Sequence, residues 1–226
     1  MPAAADMFEE QFAGLVRVPQ QGRSRASFER MIEAAEKLLA ERGTDDFTLN
    51  DVSKTGKVSI GSIYCRFDRK ETLLQVVQIR LLDTVDHKMF DRIEKADSRA
   101  ESLPALVRGL VEVLAETFRE HAALLRPFML KATTDADIAA RGKQSYAKTA
   151  DLVTATLLAR ADEIRRPDPR RAADSMFRIL YAALARYLGF GSATEAAWEG
   201  DWLVLKEDLA TMLAAYLQSD LVLPTA

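Results

Sequence analysis

The chain has 226 residues, of which 48% are hydrophobic and 29% charged, the balance of a globular protein with a sizeable core rather than of a disordered chain. Its single cysteine, Cys65, excludes an internal disulfide and a multi-cysteine zinc site, and fits a reducing cytosol. A net charge of −3 excludes a uniformly basic nucleic-acid binder; Glu9 and Glu10 stand where a secretory leader needs cations, and no apolar run approaches membrane-spanning length.

Residues 1–22 lack periodicity, include Pro19 and Gly22, and read as a flexible arm. From about Ser24, Phe28, Met31, Ile32, Ala35, Leu38 and Leu39 follow the three-and-four spacing of one helix face, which ends at Gly43. Thr48 is placed to cap a second helix with Asp51 three residues on; that helix buries Leu49 and Val52 and stops at Gly56. A third, equally short, follows Ser59. A fourth opens at Asp68, with Glu71 in the reciprocal capping position, and runs through Leu73, Leu74, Val77, Leu81 and Val85 to about Lys95. Further helices are expected over roughly 102–119, 121–132, 136–163, 170–189 and 201–220. No strand pattern, repeat or low-complexity tract interrupts them, so the expected fold is all-α.

Charge is distributed unevenly along this order. Between Lys54 and Lys70 stand Lys54, Lys57, Arg66, Arg69 and Lys70 against Asp68 alone, and Arg17, Arg23 and Arg25 precede the first periodic helix. Two short helices joined by a tight, glycine-containing turn make a helix-turn-helix, whose second member can enter a major groove. Val58, Ile63 and Phe67 can face inward, which leaves Ile60, Gly61, Ser62, Tyr64 and Cys65 outward. Gly61 and Ser62 permit close backbone approach, and the hydroxyls of Ser59, Ser62 and Tyr64 can bond phosphates. Arg69 and Lys70 sit in a first helical turn, where the dipole disfavours cations unless a phosphate docks there. They either lie in solvent or serve that phosphate.

The spaced residues Thr48, Val52, Val58, Ser59, Gly61, Tyr64, Phe67, Lys70, Glu71 and Leu73 are similar to the DNA-binding domain of the TetR family of transcriptional repressors, over about residues 25–75. The resemblance implies a helix-turn-helix domain at 23–70 and a helical effector-binding, dimer-forming body at 71–226. It implies a homodimer on a double-stranded DNA operator, a small-molecule effector and no cofactor. It places Thr48, Ser62, Tyr64 and Lys70 at phosphates, and Ile60, Gly61 and Cys65 toward bases. The expected function is that of a cytoplasmic, ligand-responsive repressor released from a palindromic operator. The alternatives are an activator or global regulator with the same domain, or a helical enzyme or scaffold with an incidental motif. Two departures stand out. The family usually has Ala-Gly ahead of the Val-Ser pair, where this chain has Gly56-Lys57, so either Lys57 takes a left-handed conformation or the turn shifts by a residue. Ser53 replaces the usual alanine. No Arg, Asn or Gln lies on the outer face of the third helix, which leaves Asn50, Lys57 and Arg66 as the polar base readers.

In the larger body, Phe90, Phe118, Phe128, Met129, Tyr146, Met176, Phe177 and Tyr181 are core residues singly and the material of an apolar ligand pocket together. Leu180, Leu184, Tyr187 and Leu188 on one helix, and Trp202, Leu205, Leu209, Met212, Leu213 and Tyr216 on the next, are apolar round most of the circumference. Pairing both helices with their symmetry mates would cover them in a four-helix interface. His87 and His121 are too few and too far apart for a metal site. Cys65 lacks a resolving partner for redox work. Arg178 can pair with Asp174 one turn earlier. No Ser/His/Asp set, phosphate loop or dinucleotide fingerprint is present, so no enzyme activity is expected.

Overall fold

Helix α1, Gly22–Arg42, buries the stripe the spacing predicts, from Phe28 to Leu39, and ends where Gly43 turns left-handed at φ 68°. In this computed structural model the described residues are 12, 15–16, 22–191 and 200–220. The arm expected over 1–22 therefore lies almost wholly outside them, as does Arg17; of it, Phe12 is buried and meets the ring of Phe28 edge-on at 6.1 Å.

Helix α2, Leu49–Gly56, opens on a reciprocal cap. The Asp51 N–H donates to the Thr48 hydroxyl at 3.2 Å, and the Thr48 N–H to the Asp51 carboxylate at 2.9 Å. Helix α3, Ile60–Tyr64, is capped by Ser59, whose oxygen accepts the Ser62 N–H at 3.1 Å. Val58, Ile63 and Phe67 are buried as expected, and Phe67 stacks on Phe28 at 5.6 Å. Helix α4, Lys70–Arg99, begins two residues later than Asp68, whose carboxylate accepts the Thr72 hydroxyl at 2.7 Å.

Helix α5, Leu103–Lys131, is one helix where two were expected. Arg119, Glu120 and His121 contain no breaker, and Pro127, which removes one backbone donor, is carried inside the helix. Helix α6, Ala136–Leu158, ends short of the expected residue 163. There the chain makes a 3-10 turn, Ala161–Glu163, and Glu163 accepts the Leu103 N–H at 2.7 Å, so this acid caps α5. Arg160 donates to the Asp97 carbonyl at 3.2 Å in the last turn of α4. Helices α7, Pro169–Tyr187, and α8, Trp202–Gln218, carry Asp168 and Asp201 as caps. No strand occurs among the described residues, and none of their helices is long and apolar enough to cross a membrane.

The chain forms two compact units, Met1–Thr84 with Ala123–Gly142, and Val85–Ala122 with Lys143–Ala226. The first extends past residue 70 because side chains tie the added segments to it. Gln78 Nε2 donates to the Ile138 carbonyl at 2.9 Å, and Lys131 reaches Asp45 at 2.9 Å. In the second unit, α8 is held to α5 by a polar group that sequence reasoning missed. Glu116 accepts from Trp202 Nε1 and Lys206 Nζ, each at 2.7 Å, and Lys206 also pairs with Glu112 at 2.8 Å.

Most residues expected to face a second subunit are spent inside the single chain. Leu180, Leu184, Leu188, Trp202, Leu209 and Leu213 are buried in it, and Tyr187 packs on Trp202 with ring centres 5.0 Å apart. Leu205 and Tyr216 are half-buried, Tyr216 beneath the Arg166 guanidinium at 4.9 Å. These side chains already cover the inner sides of α7 and α8. The large apolar side chains left exposed on these two helices are Ile179, Leu203, Val204 and Met212.

Candidate nucleic-acid interface

Helix α3 offers water what its buried side leaves over. Ile63 anchors it, while Gly61, Ser62, Tyr64 and Cys65 are exposed and Ile60 is half-buried. Tyr64 is 58% exposed, an unusual share for a ring whose burial would otherwise contribute to the core. A Cβ built on Gly61 would meet no atom within 4 Å, so the fold does not require glycine there. Thr48, Asn50 and Ser59 are exposed as well.

The turn before α3 resolves the question its sequence raises. Lys57 is left-handed, with φ 51° and ψ 46°, and is the non-glycine residue with positive φ among the described residues. The turn is not shifted. Gly56 occupies a position where a Cβ would stand 2.8 Å from the Arg30 carbonyl oxygen and 3.2 Å from the Ala34 Cβ. The one glycine is thus used for close approach of α2 to α1, and Lys57 bears a strain of about 1–2 kcal/mol at the next position. Ser53 helps to hold the turn: its hydroxyl donates to the Val58 carbonyl at 2.7 Å. The Lys57 side chain is exposed.

Cations around this surface fall into two groups. Lys54, Lys57 and Arg69 are exposed. Arg66 is half-buried and donates to the Ser24 hydroxyl of α1, closing a cleft lined by Ser24, Ser27, Met31, Ser59, Gly61, Ser62, Cys65 and Arg66. Lys70 is engaged inside the protein. Its ammonium donates to the Asp45 carbonyl at 2.6 Å, pairs with the Asp45 carboxylate at 3.5 Å and lies 5.5 Å from the centre of the Phe47 ring. Asp45 was legible only as one acid after Gly43. Burial pushes its carboxyl up, but the Lys131 hydrogen bond and the charges of Lys70 and Lys131 outweigh this and hold it below the usual range.

The residues proposed for an apolar pocket are only partly brought together. In the second unit, the Tyr146 and Tyr181 rings stand perpendicular at 4.8 Å, with Phe177 at 5.3 Å from Tyr146 and Phe118 at 5.5 Å from Tyr181. Met176 is buried on the same helix as Phe177. Phe190, just past the helix expected over 170–189, joins the cluster at 6.0 Å from Phe118. Burial, with Tyr146 beside it, pushes the Tyr181 hydroxyl up to about 12. Phe128 and Met129 belong to the first unit instead, and Phe90 is 56% exposed on the outer side of α4, so it lines no pocket within its own unit. Arg178 pairs with Asp174 at 2.7 Å, as the spacing suggested. His121 lies 3.2 Å from Lys88 Nζ, and no group of three or more metal-ligating side chains occurs among the described residues.

Residues 31–77 match the family model for bacterial regulatory proteins of the tetR family. Over 167 residues, 70% of this chain and 79% of the relative, the sequence is 27% identical to the HTH-type transcriptional regulator TtgR of Pseudomonas putida. The fold is shared with Salmonella enterica GusR, at a TM-score of 0.63 and 22% identity over 89% of this chain and 100% of that one. It is shared also with a TetR family transcription regulator from Marinobacter aquaeolei VT8, at a TM-score of 0.56 and 21% identity over 86% and 97% of the two chains. The exposed helix-turn-helix at 49–64 therefore lies in a segment that matches the tetR family of bacterial regulatory proteins, and it precedes an all-helical body whose fold is shared with a regulator of that family.

Proposed function

We propose that the protein is a repressor that holds a two-fold operator as a homodimer and is released when a small molecule enters its helical body. The observation that carries the DNA reading is the outer side of α3, where Gly61 faces open space beside the exposed Tyr64 and the solvent-facing Lys57. Gly61 lets the backbone approach base edges, Ile60 can meet a thymine methyl, and the hydroxyls of Thr48, Tyr64 and the Ser59–Ser62 pair can donate to the phosphates on either side. Asn50 and Lys57 supply polar reach from α2 and the turn. Pairing two such surfaces about 34–36 Å apart gives the half-site spacing of a dimeric helix-turn-helix protein.

The dimer reading rests on the outer side of α7 and α8. Ile179, Leu203, Val204 and Met212 expose apolar surface that a symmetry mate would cover. The effector reading rests on the Phe118, Tyr146, Phe177 and Tyr181 cluster, which combines apolar rings with two hydroxyls, as suits an aromatic or amphipathic ligand.

Selection of bound genomic fragments, followed by titration of the recovered duplex at several salt concentrations, tests the reading. A palindromic site bound by two chains, with affinity falling steeply as salt rises, supports it. Failure to retain any duplex at low salt overturns it in favour of a helical enzyme or scaffold. Transcription from the recovered promoter with and without the protein separates a repressor from an activator.

A further inference from the structure

Three charged side chains from separate parts of the first unit meet at one point, two ammonium groups on one carboxylate. Asp45 lies in the loop between α1 and α2, Lys70 is the first residue of α4, and Lys131 is the last of α5. Lys131 makes the shorter bond to the Asp45 carboxylate, 2.9 Å, and Lys70 the looser one, 3.5 Å. All three are only partly exposed, with 30% of the Asp45 side chain, 25% of Lys70 and 22% of Lys131 open to water.

We propose that Lys131 is a positioning residue for DNA binding, which keeps Asp45 neutralised so that Lys70 can exchange that carboxylate for a DNA phosphate. This rests on the reading of Lys70 as a phosphate contact. The argument is one of charge balance. An ammonium that leaves a carboxylate for a phosphate abandons one negative charge beside another. With Lys131 in place the carboxylate keeps a cation, and it is the one already bound more closely. Without Lys131, Asp45 has Lys70 as its remaining ion-pair partner in the group and holds it back from DNA. Lys131 touches no phosphate in this scheme; it acts through Asp45.

Four variants in the full-length chain, titrated against a short random-sequence duplex at several salt concentrations, test the idea. Lys70→Met should lower the salt slope by roughly one unit per chain, the value of one lost phosphate contact. Lys131→Met should mimic it, with affinity reduced on the order of tenfold. Asp45→Asn/Lys131→Met should regain the wild-type slope, since no carboxylate then holds Lys70 back and its bond to the backbone carbonyl of residue 45 is the same as in the wild type. Asp45→Asn alone should bind at least as tightly as wild type, which keeps the test intact if Lys131→Met folds poorly. A normal slope in Lys131→Met beside a reduced one in Lys70→Met overturns the role of Lys131 and spares that of Lys70. No change in Lys70→Met removes the phosphate contact itself. A double variant as weak as Lys131→Met makes Lys131 a structural or direct contact, and weakened binding by Asp45→Asn also refutes the mechanism.

Discussion

Replacing Gly61 with alanine separates what α3 needs to fold from what it needs to bind. The new Cβ meets no atom within 4 Å, and the residue lies in a helical turn at ordinary φ, so the change introduces no clash in the free protein. Helix preference favours alanine over glycine by up to about 1 kcal/mol, less here because α3 is short and held by Ile63 and Phe67. The first unit should therefore gain stability by roughly 0.5 kcal/mol. On DNA the sign reverses. A methyl group projecting roughly 1.5 Å from the backbone holds α3 off the bases, and overpacking of a close contact costs about 1–3 kcal/mol, or some five- to 150-fold in affinity. Amide hydrogen exchange over α1–α3 is the suitable stability measurement, because it reads the first unit directly, whereas Trp202 fluorescence reports on the other unit. Anisotropy titration of a labelled operator duplex gives the affinity. Unchanged DNA affinity in Gly61→Ala would show that the open side of α3 does not face the ligand, and a loss of exchange protection would show that the glycine serves the fold.

Four further outcomes follow from neighbouring geometry. Gly56→Ala should destabilise the first unit despite the helix preference for alanine, because a Cβ 2.8 Å from the Arg30 carbonyl forces α1 and α2 apart at a cost of about 1–3 kcal/mol; hydrogen exchange over both helices reads it. Lys57→Gly relieves about 1–2 kcal/mol of left-handed strain and loses about 0.4–1 kcal/mol to the freer unfolded chain, so the domain should become slightly more stable while its DNA affinity and salt slope fall. Asp51→Asn should lower the melting temperature at neutral pH. Hydrogen bonds from Thr48 hold the Asp51 carboxyl below its ordinary value, so its contribution is present above the usual carboxylate range and disappears as pH falls through the depressed value; wild type and variant should melt alike in strong acid. Met212→Glu should shift the protein toward monomer in light scattering with little loss of helicity, because Met212 is 59% exposed in the single chain; an unchanged dimer would move the interface elsewhere.

Much of the first unit was legible because its determinants act over three or four residues. The Thr48–Asp51 cap, the Ser59 cap and the buried spacing from Phe28 to Leu39 depend on little beyond local backbone geometry. The left-handed Lys57 was legible as one of two alternatives, and the clash awaiting a Cβ at Gly56 explains why this alternative holds. The misjudged features are those decided across the chain. Whether the segment after Leu158 continues as helix depends on Glu163 meeting Leu103, sixty residues away. Whether Lys70 is free depends on Asp45 and Lys131. The apolar circumference of α7 and α8 could not say by period alone which side the chain's own α5 and α7 would take. Lys206 marks that inner side, a lysine held against Glu112 and Glu116 in place of another leucine.

The hydroxyls of α3 illustrate how structure narrows a reading that residue types leave wide. Ser59 and Ser62 each seemed able to donate to a phosphate. Their oxygens lie 2.7 Å apart, so one hydroxyl donates to the other, and the Ser59 oxygen also accepts the Ser62 N–H. Two hydroxyls hold two protons, and one proton is already engaged between them. The pair can therefore give a phosphate one hydrogen bond, not two, unless the internal bond breaks and loosens the cap of α3. Tyr64 has no such constraint from the cap, and its exposed ring carries the hydroxyl clear of the helix. Of the three, Tyr64 can bind a phosphate at no expense to the fold, and the serines act as a single donor whose first duty is to start the helix.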